Sequence, residues 1–217
     1  MNTPFGNMIT TAEHAIAMMF AVARQIPEAN TSTQAGKWEK SRFMGVELTN
    51  KTVGVIGAGN IGGVFCERAR SLKMKVVAYD PYLDKNNDVW KETKNLELEN
   101  LLTISDIISL HIPLNKETSN LIDEKKLRLI KDSSVIINTA RGGIIDENAL
   151  AQLLKEDKIG GAALDVFNEE PLKKEHAKKF KGIDNLILTP HIGGVTKESN
   201  ERVSQMIAKK IDMHLSK

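Results

Sequence analysis

A chain of 217 residues is long enough for one large domain or two small ones around a sizeable buried core. With 41% hydrophobic and 27% charged residues and a single cysteine, Cys66, the composition excludes wholesale disorder, a collagen-like fibre and a disulfide scaffold. The 30 basic and 28 acidic residues leave a net charge of +2, too balanced to call for nucleic acid or an anionic membrane, so partners have to be argued from sites.

Met1 to Thr11 has neither the basic nor the apolar region of a secretory signal, and no apolar run approaches the roughly 20 residues that cross a bilayer. The expected setting is the cytoplasm, with no membrane partner. Thr10, Thr11 and Glu13 form a helix-start signature ahead of the apolar Ala15 to Ala23, which reads as a buried or interfacial helix with Met18 and Met19 as packing residues. The polar stretch Pro27 to Arg42, with Gly36 and a lone Trp38, shows no strand alternation and is expected as an extended arm whose tryptophan anchors a contact.

From Lys51 onward short β-branched runs alternate with helix-like segments, without internal repeats. The runs are Thr52 to Ile56, Lys75 to Tyr79, Ile107 to His111, Ser134 to Asn138, Ala162 to Val166 and Leu186 to Thr189. They are mostly apolar throughout, as strands covered on both faces are. Helices are expected between them at Ile61 to Leu72, Leu98 to Leu102, Asp123 to Ile130 and Asp146 to Glu156, and a last one from Thr196 to about Leu215. The pattern is that of an α/β fold with a doubly wound parallel sheet and right-handed crossovers, a Rossmann-type domain.

Open parallel sheets bind ligands beyond the carboxyl ends of their strands, so the residues just after each run matter most. After the first run stands Gly57-Ala58-Gly59-Asn60-Ile61-Gly62, a G-x-G-x-x-G turn in the strand-to-helix context that phosphate binding requires. Gly57 serves the tight turn, Gly59 lets the backbone approach a pyrophosphate, and Gly62 lets helix and strand pack closely. Asp80, ending the second run, is placed to accept hydrogen bonds from the adenine-ribose hydroxyls. A 2′-phosphate would be repelled there, and Pro81 and Tyr82 follow rather than an arginine, so NAD is expected over NADP.

A secondary alcohol releases hydride as its hydroxyl proton is removed, which calls for a base titrating near neutrality. His191, between Pro190 and Gly193-Gly194, is that candidate. A carboxylate would orient its imidazole, with Glu170 before Pro171 as first choice and Glu169 as its rival. Arg141, after the fourth run, offers a planar fork for a substrate carboxylate. His14, His111, His176 and His214 show no metal-site spacing with cysteine or carboxylates, and no G-x-S-x-G elbow occurs, so no metal is expected.

These residues carry a resemblance. Asn2-Thr3-Pro4-Phe5 with Ala12-Glu13-His14, Val55 to Gly62, Ser109 to Leu114, Asn138 to Gly142, Asp165 to Pro171 and Thr189 to Gly194 together resemble the D-isomer-specific 2-hydroxyacid dehydrogenases. Within that family the resemblance is greatest to the D-3-phosphoglycerate dehydrogenases of serine biosynthesis. It implies that Arg141, Glu170 and His191 are the catalytic residues, and it settles the choice of glutamate through the position before the proline. It also implies NAD contacts at Asn60 and Ile61, Asp80, Ile112 and Pro113, Thr139 and Ala140, Asp165 near the nicotinamide amide, and Gly193 and Gly194, with Arg141 and His191 on the same cleft.

By the same resemblance, residues 1–194 should form the dinucleotide-binding domain with its first helix and dimerisation arm, making a homodimer. Residues 195–217 should form a helix that returns to a substrate domain. Most of that domain belongs, in the family, to roughly the first third of the chain, which is expected to be absent here. The implied activity is NAD-dependent oxidation of a D-2-hydroxy acid, foremost 3-phosphoglycerate to 3-phosphohydroxypyruvate. The alternatives are another short 2-oxo acid, such as hydroxypyruvate or glyoxylate, and an NAD-binding dimerisation module without turnover.

Overall fold

The computed structural model describes residues 5–215, so Asn2, Thr3 and Pro4 of the first motif lie outside the described residues. The strands are β1 (Thr52–Ile56), β2 (Lys75–Tyr79), β3 (Lys94–Asn95), β4 (Ile107–Leu110), β5 (Val135–Asn138), β6 (Gly161–Leu164) and β7 (Leu186–Leu188). They pair in parallel in the order β3-β2-β1-β4-β5-β6-β7. The chain winds outward from β1 to β3 and then returns to the other side of β1 as β4. The loops leaving β1 and β4 therefore diverge and open a crevice at the carboxyl edge of the sheet.

Alternation along the strands divides the core in two. Ile56, Ile108, Leu110, Ile136 and Leu164 face one layer, which is closed by α4 (Leu98–Ile104), α5 (Glu124–Leu127) and α6 (Glu147–Lys155). Val53, Val55, Ile107, Ile137 and Ala163 face the other, closed by α1 (Met8–Ala23) and α3 (Asn60–Ser71). Both faces being covered is why the runs are apolar at nearly every position rather than at every second one. Met18 and Met19 are core residues, and Cys66 is buried beside them with its thiol pushed up to about 12 by burial.

The expected doubly wound sheet is present, with local differences. The stretch read as an extended arm begins instead with α2 (Ile26–Gln34). Pro27 in its first turn and Glu28 near its N-terminus favour that start, but only Ser32 is buried, so no apolar stripe announced the helix. Strand β3, two residues at the sheet edge, is too short to leave a period in the sequence. Strand β4 stops one residue before His111, and β6 spans Gly161–Leu164, which places Asp165 and Val166 in the loop beyond it. Helix α5 covers Glu124–Leu127, a part of the expected span.

Two further α-helices lie among the described residues. Short α7 (Lys174–Ala177) precedes β7, and α8 (Lys197–Leu215) follows it. The first turns of α8 are tied to the start of α1, where Arg202 Nε donates to the Gly6 carbonyl at 3.1 Å. Beyond them α8 buries almost nothing and leaves Ile207, Ile211, Met213 and Leu215 exposed.

Candidate active site

At the end of β1 the backbone turns back toward β2. Gly57 adopts φ +89°, open to glycine at little cost, and its N–H donates to the Tyr79 carbonyl at 2.8 Å. A Cβ there would lie 2.8 Å from the His111 carbonyl oxygen, and a Cβ on Gly62 would collide with the carbonyl of Gly57. Gly59 differs, because a Cβ on it would meet nothing within 4 Å. The first and last glycines are thus required by the turn itself, while the middle one faces open space at the N-terminus of α3, which has no side-chain cap. Asp80 closes the turn: its Oδ2 accepts from Ala58 N–H at 2.9 Å, and its Oδ1 from the Tyr82 and Leu83 amides at 3.0 Å each.

Beside this turn lies a cleft of about 510 Å³. From α3 it receives Asn60 and Ile61, and from the loop after β4 His111, Ile112 and Pro113. The β5 loop adds Thr139, Ala140 and Arg141, and the remaining walls include Asp165, His191, Gly193 and Gly194. Every cofactor-contact position expected from the sequence is thereby on this cleft or on the turn at its mouth. The walls fit a dinucleotide: an uncapped helix start attracts a pyrophosphate, and the buried Thr139 Oγ1 has no protein partner.

The three groups with acid–base or anion-binding chemistry come from loops after β5, β6 and β7. Asn138 folds the first loop by accepting from Ala140 N–H at 3.0 Å and donating to the Arg141 carbonyl at 2.9 Å, which leaves the Arg141 side chain at the cleft. In the second loop Glu170 Oε1 accepts from Phe167 N–H at 2.9 Å. Its Oε2 lies 2.6 Å from His191 Nδ1. Glu169 instead lies 2.8 Å from His176 Nδ1, so the two neighbouring glutamates serve different histidines. His191 has φ +54°, an uncommon conformation for a residue with a side chain.

That conformation is held from below by Asp165, which is fully buried. Its Oδ1 accepts from Thr189 Oγ1 at 2.5 Å and from Ile192 N–H at 2.9 Å, and its Oδ2 from Gly193 N–H at 2.7 Å. Burial alone would raise its pKa, but the hydrogen bonds from His14, Thr189 and the two amides outweigh it and hold the carboxyl below its ordinary value. The sequence singled out Asp165 as a cofactor contact. The fold shows that both its oxygens are also engaged by the His191 turn.

Several other participants were not read from the sequence. Asn7, Thr11 and Val195 also line the cleft, and His14 of α1 lies 3.4 Å from Asp165 Oδ1. The Ala12-Glu13-His14 motif was the available signal, but nothing in it names the partner. His111 is half-buried at the cleft wall, packed at 4.9 Å between ring centroids on Phe65, with Nε2 at 2.9 Å from Ser109 Oγ and a buried, unpartnered Nδ1. Burial lowers its pKa to about 3, so it is a neutral wall of the cleft. Among the described residues no group of three or more His, Cys, Asp or Glu could hold a metal ion.

Comparison with known proteins agrees with this fold. Residues 16–193 match the model of the "D-isomer specific 2-hydroxyacid dehydrogenase, NAD binding domain". D-3-phosphoglycerate dehydrogenase of Archaeoglobus fulgidus is 44% identical, over 97% of this chain and 40% of its own length. Glyoxylate reductase of Thermococcus litoralis is 41% identical, over 97% of this chain and 65% of its own length. D-lactate dehydrogenase from Aquifex aeolicus, solved with NAD and lactic acid, superimposes with a TM-score of 0.91 at 30% identity, covering 99% of this chain and 68% of that one. An acyclic imino acid reductase solved with NADPH and D-Arg gives 0.89 at 35% identity, covering 98% and 67%. The chain spans 40% of the length of the A. fulgidus relative. It belongs to the D-isomer specific 2-hydroxyacid dehydrogenases and carries their NAD binding domain.

Proposed function

We propose that this chain is the cofactor half of a dehydrogenase that oxidises the 2-hydroxy group of 3-phosphoglycerate. The observation that carries the reading is the 2.6 Å contact between Glu170 Oε2 and His191 Nδ1, on a cleft that also holds Arg141 and opens onto the glycine turn. NAD, when bound, supplies the hydride acceptor. His191 takes the hydroxyl proton on Nε2, the ring nitrogen not engaged by Glu170. The carboxylate opposite Nδ1 stabilises the imidazolium that results and fixes the ring's orientation. Arg141 binds the substrate α-carboxylate with its planar fork and sets the reacting carbon against the cofactor face of the cleft. In the reverse direction the same imidazolium returns the proton to the carbonyl oxygen.

A second substrate reading has its own support, since glyoxylate reductase of T. litoralis and hydroxypyruvate reductase of Thermotoga maritima are each 41% identical to the chain. The catalytic groups serve any short 2-hydroxy acid alike, and by the resemblance the cationic groups that would read a phosphate lie mostly in the substrate domain. Residues 1–194 act as the dinucleotide-binding unit, and α8, within residues 195–217, carries its exposed apolar residues to the substrate domain. A homodimer forms through α1, α2 and the following arm, supported by exposed Phe20, Ile26, Trp38 and Met44 on one continuous stretch of chain. A lone, buried, unpaired Cys66 suits a reducing cytoplasm.

The test is NADH formation with 3-phosphoglycerate, D-glycerate and glycolate, comparing this chain with one extended upstream by the segment its relatives carry. Turnover of 3-phosphoglycerate by the extended protein is expected. Preference for another acid would support the second reading, and NAD binding without turnover of any acid would make the chain a binding module.

A further inference from the structure

We propose that His14 is a positioning residue for His191, acting from α1 through the buried carboxylate of Asp165. The inference rests on the catalytic reading of His191 given above.

The contacts run in one direction. His14 Nε2 lies 3.3 Å from Thr189 Oγ1 and 3.4 Å from Asp165 Oδ1. An ionised carboxylate can only accept, so the ring nitrogen at this contact carries the proton and donates. Thr189 Oγ1 spends its own hydrogen on Asp165 Oδ1 and is left to accept from His14. Asp165 then holds the amides of Ile192 and Gly193, the two residues that follow His191. A Cβ at Gly193 would sit 3.4 Å from His14 Cδ2, so the imidazole also forms the surface on which that turn rests.

The arrangement has a physical purpose. His191 is in the left-handed region, and such a conformation persists only where its surroundings over-determine it. Asp165 supplies that constraint, but its own orientation must be fixed, and it is fully buried with hydrogen bonds on both oxygens. His14 closes the network from a separate element: α1 is anchored by buried Ala12, Ala15, Met18 and Met19 against the sheet. Without the imidazole, buried Asp165 Oδ1 and half-buried Thr189 Oγ1 lose a shared donor, and the carboxylate rotamer loses its lateral support.

The experiment uses the protein extended upstream as its relatives are, with His14→Leu, His14→Gln and, as control, His191→Ala. Amide hydrogen exchange of Ile192 and Gly193, measured without substrate, is expected to quicken about tenfold in His14→Leu while Ile136 and Ile137 of β5 keep their rates. kcat is expected to fall about tenfold with the KM for NAD within about twofold, as misplacement of a reacting group requires. In His14→Gln, whose side-chain amide still donates, both quantities should return most of the way. Unchanged exchange at Ile192 and Gly193 in His14→Leu would overturn the proposal, as would equal acceleration in β5, which would mark general loosening. If His191→Ala kept full turnover, the catalytic reading would fall instead, and the exchange rates alone would decide whether His14 holds the turn.

Discussion

Glu170 Oε2 and His191 Nδ1 lie 2.6 Å apart, joining the loops that leave the neighbouring strands β6 and β7. The pair spans 21 residues of sequence, and Glu170 is braced in turn by the Phe167 amide. The proposed base is thus held by a group whose own position is fixed.

Replacing His191 with Ala should lower kcat by roughly 10² to 10⁴ fold while leaving NAD affinity within a fewfold, because a positioned base contributes about that factor. Glu170→Gln should cost less, since the amide still holds the ring but no longer stabilises its charge. Steady-state kinetics together with NAD titration by calorimetry would read both, and an active His191→Ala would remove His191 from the mechanism.

The glycine turn separates folding from binding. Gly62→Ala drives a Cβ into the Gly57 carbonyl and should lower stability by about 1–3 kcal/mol. Gly59→Ala meets only open space within the protein, so its melting temperature should stay nearly unchanged while its NAD dissociation constant rises tenfold or so as the methyl occupies the pyrophosphate's approach. Thermal melts and binding isotherms on the two variants provide the comparison, and equal effects on both properties would contradict it.

Asp80 both braces the turn through Ala58 and places a negative charge at the carboxyl end of β2, beside the glycine turn. Asp80→Ala should weaken NAD binding about tenfold and narrow the gap between NAD and NADP, because a charge-assisted acceptor and a source of repulsion are lost together. The ratio of the two dissociation constants is the measurement, and an unchanged ratio would show that selectivity lies elsewhere.

Asp165 sets an acid limit. Its folded pKa is depressed, so its stabilising contribution is complete above the unfolded value of about 3.9 and is lost as the pH falls through the lower folded value. The melting temperatures of the parent and Asp165→Asn should differ at pH 7 and converge at the acid end, below that unfolded value. A gap that persists undiminished there would assign the stabilisation to something other than the carboxylate's charge.

Exposed Trp38, with Met44 nearby on the same arm, should be covered in solution by a second copy. Light scattering at micromolar concentration is expected to give a dimer mass, and Trp38→Ala with Met44→Ser should shift the mass toward the monomer without altering the far-ultraviolet spectrum. A parent protein that is already monomeric would refute the arrangement.

Much of the architecture was legible because it is written locally. The boundaries of β1 and β2 coincide with the runs Thr52 to Ile56 and Lys75 to Tyr79, since β1 is covered on both faces and β2 on one face with partial cover on the other, so that apolar residues dominate both. Gly57, Gly62 and Asp80 were readable from spacing, because the turn needs them within one strand-to-helix unit. Helix α2 was not readable, since it buries only Ser32, and two-residue β3 forms only because β2 offers it an edge.

By itself the sequence determined the α/β class and the glycine turn with its acidic partner, both consequences of short-range sterics and hydrophobic period, and it offered Arg141, Glu170 and His191 as candidates through their side-chain chemistry at strand ends and the family resemblance. Tertiary structure decided which groups meet: Glu170, the glutamate the resemblance had chosen, beside His191 with Glu169 beside His176, Asp165 under the turn, and His14 beside Thr189 across 175 residues. Those choices depend on how β5, β6 and β7 align and on how α1 packs over them. Periodicity records which face of an element is buried, but not which residue of a distant element that face will meet.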